Sequence, residues 1–135
     1  MNIRGGCLKS WSKTQGPVAL SSGEAEYYAL VKGATEGLGL QSLAQDLGWQ
    51  VEVMLWVDSS AAKSMASRKG VGKVRHVEVR ELWLQDAVRK KRLALASIEG
   101  TKNPSDVLTK PQAREDIAIL LEVVGVLLAK RAQDV

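Results

Sequence analysis

Residues Ser10-Trp11-Ser12-Lys13-Thr14-Gln15, followed by Val18-Ala19-Leu20-Ser21-Ser22-Gly23-Glu24-Ala25-Glu26-Tyr27, decide the fold class of this chain. The first half predicts an edge or near-surface strand after a turn at Gly5-Gly6. Leu8, Ser10, Ser12 and Thr14 share one face, and Lys9, Trp11 and Lys13 share the other. Gly16-Pro17 breaks it. The second half predicts a helix start, because Ser21 with Glu24 three residues on is a capping-box pattern. Ala25, Tyr28, Ala29, Val31 and Leu38, continued by Leu40, Leu43 and Leu47, keep a helical apolar spacing. Gly33, Gly37 and Gly39 each cost about 1 kcal/mol relative to Ala, so a kinked or two-part helix is expected as far as Leu47, with Gly48 ending it.

Working outward, Val51 to Val57 is a near-continuous apolar run with Asp58 at its end. Its length and β-branched content predict a strand buried on both faces, of the kind found inside an α/β sheet. A short Ala-rich helix over 59–67, a basic glycine-containing loop over 68–72 and a third helix from about Val74 to Lys90 follow. Leu93 to Ile98 predicts another strand. Ser105 or Asn103 is expected to cap a turn holding Asp106, and an amphipathic helix is expected from about Arg114 to Lys130. Strands alternating with helices predict an α/β arrangement.

With 135 residues the chain is long enough for one core and too short for two. A net charge of +4 is compatible with a polyanionic partner. One Cys and one His exclude an intrachain disulfide and a Cys/His metal cluster within one chain. Any bound metal would be held by carboxylates, which favours Mg²⁺ or Mn²⁺. The absence of a signal-peptide pattern and of an apolar run long enough for a bilayer leads us to expect an intracellular protein, cytoplasmic or nuclear, neither secreted nor embedded in a membrane.

Three carboxylates are candidates for chemistry. Glu26 lies in the first turns of a helix, Asp58 at the end of an apolar strand and Asp106 at the start of a turn after the last strand. The carboxyl ends of strands form the ligand edge of an α/β sheet. Two divalent cations about 4 Å apart need such carboxylates to offset their charge. Each residue also has a plainer use: Glu26 complements the helix dipole, while Asp58 and Asp106 are placed to cap helices.

Taken together, the blocks SWSKTQGPVALSSGEAEYYAL (10–30), LWVDSSAAKSMA (55–66), VRHVEVRELWL (74–84) and NPSDVLTKP (103–111) resemble, in order, those of the ribonuclease H segment of copia-type LTR retrotransposon Pol polyproteins. The resemblance implies a ribonuclease H-like mixed sheet with flanking helices over 1–111, lacking the first two strands of the family fold, and a C-terminal amphipathic helix over 112–135. It implies a nuclease that hydrolyses RNA in RNA–DNA hybrids, with Glu26, Asp58 and Asp106 as catalytic metal ligands for Mg²⁺ or Mn²⁺. Glu24 then serves as a capping residue. Ser21 and Ser22 fall where small hydroxyls approach the minor groove, and Lys73 and Arg75 where a basic loop meets the nucleic-acid backbone. His76, matching a histidine that is no metal ligand, reads as a local structural or phosphate-facing residue. Trp11 and Trp83 read as packing residues.

The family's first aspartate has no counterpart here, since no carboxylate occurs in residues 1–23. An impaired site, weak metal affinity and dependence on an upstream reverse transcriptase segment are therefore expected. The alternatives are a non-catalytic nucleic-acid-binding remnant and a domesticated interaction module.

Overall fold

The computed structural model describes residues 2–3, 6–11, 16, 18–70, 82–108, 111 and 113–117. The chain divides into two compact units, Gln15–Ile98 and a second formed by Met1–Thr14 with Glu99–Val135.

The Gln15–Ile98 unit is mixed α/β. Its elements are α1 (Ser22–Asp46), β3 (Met54–Val57), α2 (Ser60–Ser67), α3 (Trp83–Arg89) and β4 (Ala94–Ser97). β3 and β4 pair in parallel, with Met54 opposite Ala94 and Val57 opposite Ser97. Parallel neighbours need a crossover, and α2 and α3 lie within it. The core is Tyr27, Leu30, Val31 and Ala34 from α1, Val57, Ala62, Met65 and Ala66 around α2, and Leu84, Ala87 and Leu93 beyond it.

Helix α1 is uninterrupted over Ser22–Asp46, so the expected division at the glycines does not occur. The glycines instead follow the path of β3. A Cβ on Gly37 would stand 2.8 Å from Val53 Cγ1, and one on Gly33 would stand 3.9 Å from Leu55 Cδ2. Farther along, Gln41 Nε2 donates to Val51 O at 2.8 Å. Four helical residues advance about 6 Å and two strand residues about 6.6 Å, so 33, 37 and 41 keep step with 55, 53 and 51. The helix therefore runs antiparallel to β3. Tertiary packing outweighs the propensity cost of the glycines because Gly37 allows backbone and strand to approach. At its end α1 stops as expected: Gly48 takes φ 80°, Trp49 N–H donates to Ala44 O and Gly48 N–H to Gln45 O, which is a Schellman closure.

Strand β3 departs from the expectation of burial on both faces. Val57 is buried and Leu55 half-buried, while Met54 and Trp56 are 53% and 62% exposed. Alternate residues of a strand face opposite ways, and the core residues of α1 lie on the Leu55–Val57 side. The third helix, expected from about Val74, is helical over Trp83–Arg89; residues 71–81 lie outside the described set.

In the second unit β1 (Asn2–Ile3) and β2 (Gly6–Cys7) form an antiparallel pair. The strand expected to run on to Thr14 is confined to Gly6–Cys7 among the described residues; 8–11 have no regular structure and 12–15 are outside the described set. Exposed Leu8 and Trp11 explain this, because the segment has no buried face to hold it extended. Two 3-10 turns, Gly100–Lys102 and Pro104–Leu108, follow. Residues 114–117 are helical, and the rest of the expected C-terminal helix lies outside the described residues.

The glycine reading is testable by urea denaturation. Gly39, which has open space around it, should gain about 0.5–1 kcal/mol on replacement by Ala through helix propensity. Gly37→Ala should instead destabilise by about 1–3 kcal/mol, because the added methyl overpacks Val53. Equal stabilisation by both would contradict the close passage of α1 over β3.

Candidate functional site

The antiparallel course of α1 sets the geometry of the Gln15–Ile98 unit. It carries the N-terminus of α1 to the end where β3 finishes. There it meets the N-terminus of α2: a Cβ on Gly23 would lie 3.0 Å from Ala61 Cβ. β4 ends at the same place, with Ile98 N–H donating to Val57 O at 3.0 Å. Two helix starts and two strand ends thus converge. Glu26, in the second turn of α1, and Asp58, directly after β3, both belong to this end and are both exposed.

The capping work at this end is done by other residues. Ser21 Oγ accepts from Glu24 N–H at 3.2 Å. The Glu24 carboxylate accepts from Leu20 N–H at 2.9 Å and is 2% exposed. This is the expected capping box with one difference, since the carboxylate reaches the residue before the cap. Ser59 Oγ accepts from Ala62 N–H at 3.2 Å and caps α2. Asp58 is therefore not the cap of α2.

The second unit repeats that division of labour. Asn103 Oδ1 accepts from Ser105 N–H at 3.1 Å, and Asn103 O accepts from Asp106 N–H at 3.1 Å. Asn103 turns the chain, and Asp106 is buried. Among the described residues no three His, Cys, Asp or Glu side chains gather as a metal-holding group; Glu26 and Asp58 share one unit, and Asp106 is in the other.

The remaining candidates divide clearly. Ser21 and Ser22 are exposed at the start of α1. Lys73, Arg75 and His76 lie outside the described residues. Trp11 is not a core residue: it is 36% exposed, with Lys9 Nζ 5.5 Å from its ring centre. Trp83 is half-buried and packs against the core. Of the basic run at the end of α3, Arg89 and Lys90 both pair with Asp86. The Lys90 ammonium, with Arg89, holds the Asp86 carboxyl below the usual range. These two cations are thus committed within their own helix.

Two polar residues were not singled out from sequence. Gln85, 9% exposed, donates through Nε2 to Met65 O and Gly70 O at 2.8 and 2.9 Å, and its Oε1 accepts from Gly70 N–H at 2.7 Å. It fastens the start of the basic loop, Arg68-Lys69-Gly70, to α3. The only hint in the sequence is an uncharged amide between Leu84 and Ala87 on an otherwise apolar face. Lys63 of α2 is the other, with Nζ donating to Ser97 Oγ at 2.7 Å.

Over 123 residues, 90% of this chain, the sequence is 33% identical to the "Retrovirus-related Pol polyprotein from transposon TNT 1-94" of Nicotiana tabacum. The chain is thus related to a retrotransposon Pol polyprotein, and it spans 9% of that protein's length. No family model matches. No solved structure matches. Among the described residues no helix is long and apolar enough to cross a membrane.

Two outcomes check the assignments of labour. Ser59→Ala should cost about 1 kcal/mol in chemical denaturation, the usual value of a lost cap, and unchanged stability would contradict the capping role. Gln85→Leu should lower stability by about 1–3 kcal/mol, because three backbone groups lose their partner. The same variant should accelerate trypsin cleavage after Lys69; an unchanged cleavage rate would contradict the fastening role.

Proposed function

We propose that the chain is a ribonuclease H-like part of a retrotransposon Pol polyprotein, acting on the RNA strand of an RNA–DNA hybrid. The observation that carries this reading is the placement of exposed Glu26 and Asp58 at the same end of the Gln15–Ile98 unit. Relationship to a Pol polyprotein supports it.

Both groups are carboxylates, which suits a hard divalent cation. Glu26 and Asp58 would hold Mg²⁺ or Mn²⁺ there. Such an ion, when bound, supplies a positive charge next to the phosphodiester and lowers the pKa of its water. The residues of the chain do the rest. Ser21 and Ser22 offer hydroxyls to the 2′-hydroxyls of an RNA strand, and Lys73 and Arg75 offer cations to its backbone. Hydrolysis by this chain alone is slow in this reading, because among the described residues no third metal-holding side chain gathers with Glu26 and Asp58. A reverse transcriptase segment of the polyprotein would act beside it. The second reading, binding without cleavage, is favoured by the lack, among the described residues, of a group of three metal-holding side chains.

Anisotropy with a labelled RNA–DNA hybrid, combined with a Mg²⁺-dependent cleavage assay, tests the proposal. Salt-sensitive binding with slow cleavage, abolished by Glu26→Gln and by Asp58→Asn, is expected. Binding with cleavage that neither substitution alters would remove both carboxylates from the site. Binding with no cleavage selects the second reading, and neither binding nor cleavage rejects both.

A further inference from the structure

We propose that Lys63 and Ser97 form a phosphate-binding pair at the carboxyl end of the sheet, taking a backbone phosphodiester of the nucleic acid. The proposal rests on the function above for the identity of the phosphate's source.

Placement is the first argument. Ser97 is the last residue of β4 and stands opposite Val57, the residue before Asp58. The Lys63 ammonium, 2.7 Å from Ser97 Oγ in an exposed position, is thereby held at the same end of the unit as Asp58 and the N-terminus of α1. The basic run Arg89–Arg92 precedes β4 and so lies at the opposite end of the sheet, with Arg89 and Lys90 already paired to Asp86.

Hydrogen-bond chemistry is the second. An ammonium carries three donors, and a serine hydroxyl carries one donor with two lone pairs. The bond between them uses one ammonium N–H and one lone pair. Two N–H groups and the hydroxyl proton stay directed elsewhere, a cluster of donors with a positive charge. A phosphate oxygen is the ligand such a cluster fits.

Energetics is the third. Lys63 is the fourth residue of α2, close to the positive end of the helix dipole, where a cation is disfavoured. No acidic residue stands in the first turn of α2, and the carboxylate just before its cap, Asp58, is the one assigned above to a cation. A single exposed hydrogen bond contributes little to stability. A polyanion alongside removes the mismatch, because the lysine and the helix start then act on it with the same sign. Glu26 and Asp58 and the Lys63–Ser97 pair so divide this end between a cation and a phosphate.

Hybrid binding measured against salt concentration tests the pair. Lys63→Gln should weaken binding about three- to tenfold and lower the log–log salt slope by about one, the signature of one lost phosphate contact. Lys63→Arg should keep the slope, and Ser97→Ala should weaken binding with the slope retained. Lys32→Gln, which removes an α1 lysine paired with Glu36, controls for net charge, and thermal melting confirms folding of every variant. Equal affinity and slope for Lys63→Gln and the parent overturn the proposal, as does a loss no larger than that of Lys32→Gln. Should the parent bind no hybrid, the proposed function fails, and the pair is judged with inorganic phosphate by NMR. Shifts of the Lys63 ε-methylene and Ser97 amide then support a free-phosphate site, and their absence overturns the pair.

Discussion

The close passage of α1 over β3 is the contact from which the rest of the Gln15–Ile98 unit follows. Side-chain-free positions make it possible: Gly37 where Val53 presses in, and Gly23 where α2 begins. Because the helix keeps step with the strand in the opposite direction, its N-terminus is delivered to the strand's C-terminus. A bulkier residue at Gly37 would lift α1 from β3, and the distance between Glu26 and Asp58 would change with it. Packing in the body of the helix thus sets where Glu26 stands relative to Asp58.

A second consequence concerns which residues are tied up by folding. Helix starts leave backbone N–H groups without intrahelical partners, and carboxylates are common solutions. Here Ser21 with Glu24 closes α1, Ser59 closes α2 and Asn103 turns the chain before Asp106. Ser59, not Asp58, is thus the N-cap of α2.

Much of this was legible in the sequence because it is local. The capping box at Ser21–Glu24, the stop at Gly48, the strands ending near Val57 and Ser97 and the Ala-rich α2 all follow from short-range rules that hold here. What escaped depends on partners distant in sequence. The glycines of α1 read as weak points because Val53 and Ala61, which make them useful, lie far along the chain. Trp56 read as buried because an apolar run carries no sign of which face a helix will cover. Lys63 and Ser97 are 34 residues apart, and nothing in either neighbourhood announces the other. Gln85 is similar, since an amide on an apolar face shows its value only when the Gly70 backbone arrives.

In the proposed reading, the course of α1 brings Glu26 and Asp58 to one end where a divalent cation would bind. Substoichiometric Mn²⁺ added to isotopically labelled protein measures this most directly, through paramagnetic broadening of backbone amides. Broadening is expected to concentrate on the amides around Glu26 and around Asp58–Ser59 together, relieved in both places by competing Mg²⁺. Broadening at only one of the two segments, or centred instead on exposed carboxylates such as Asp86 and Glu99, would contradict it.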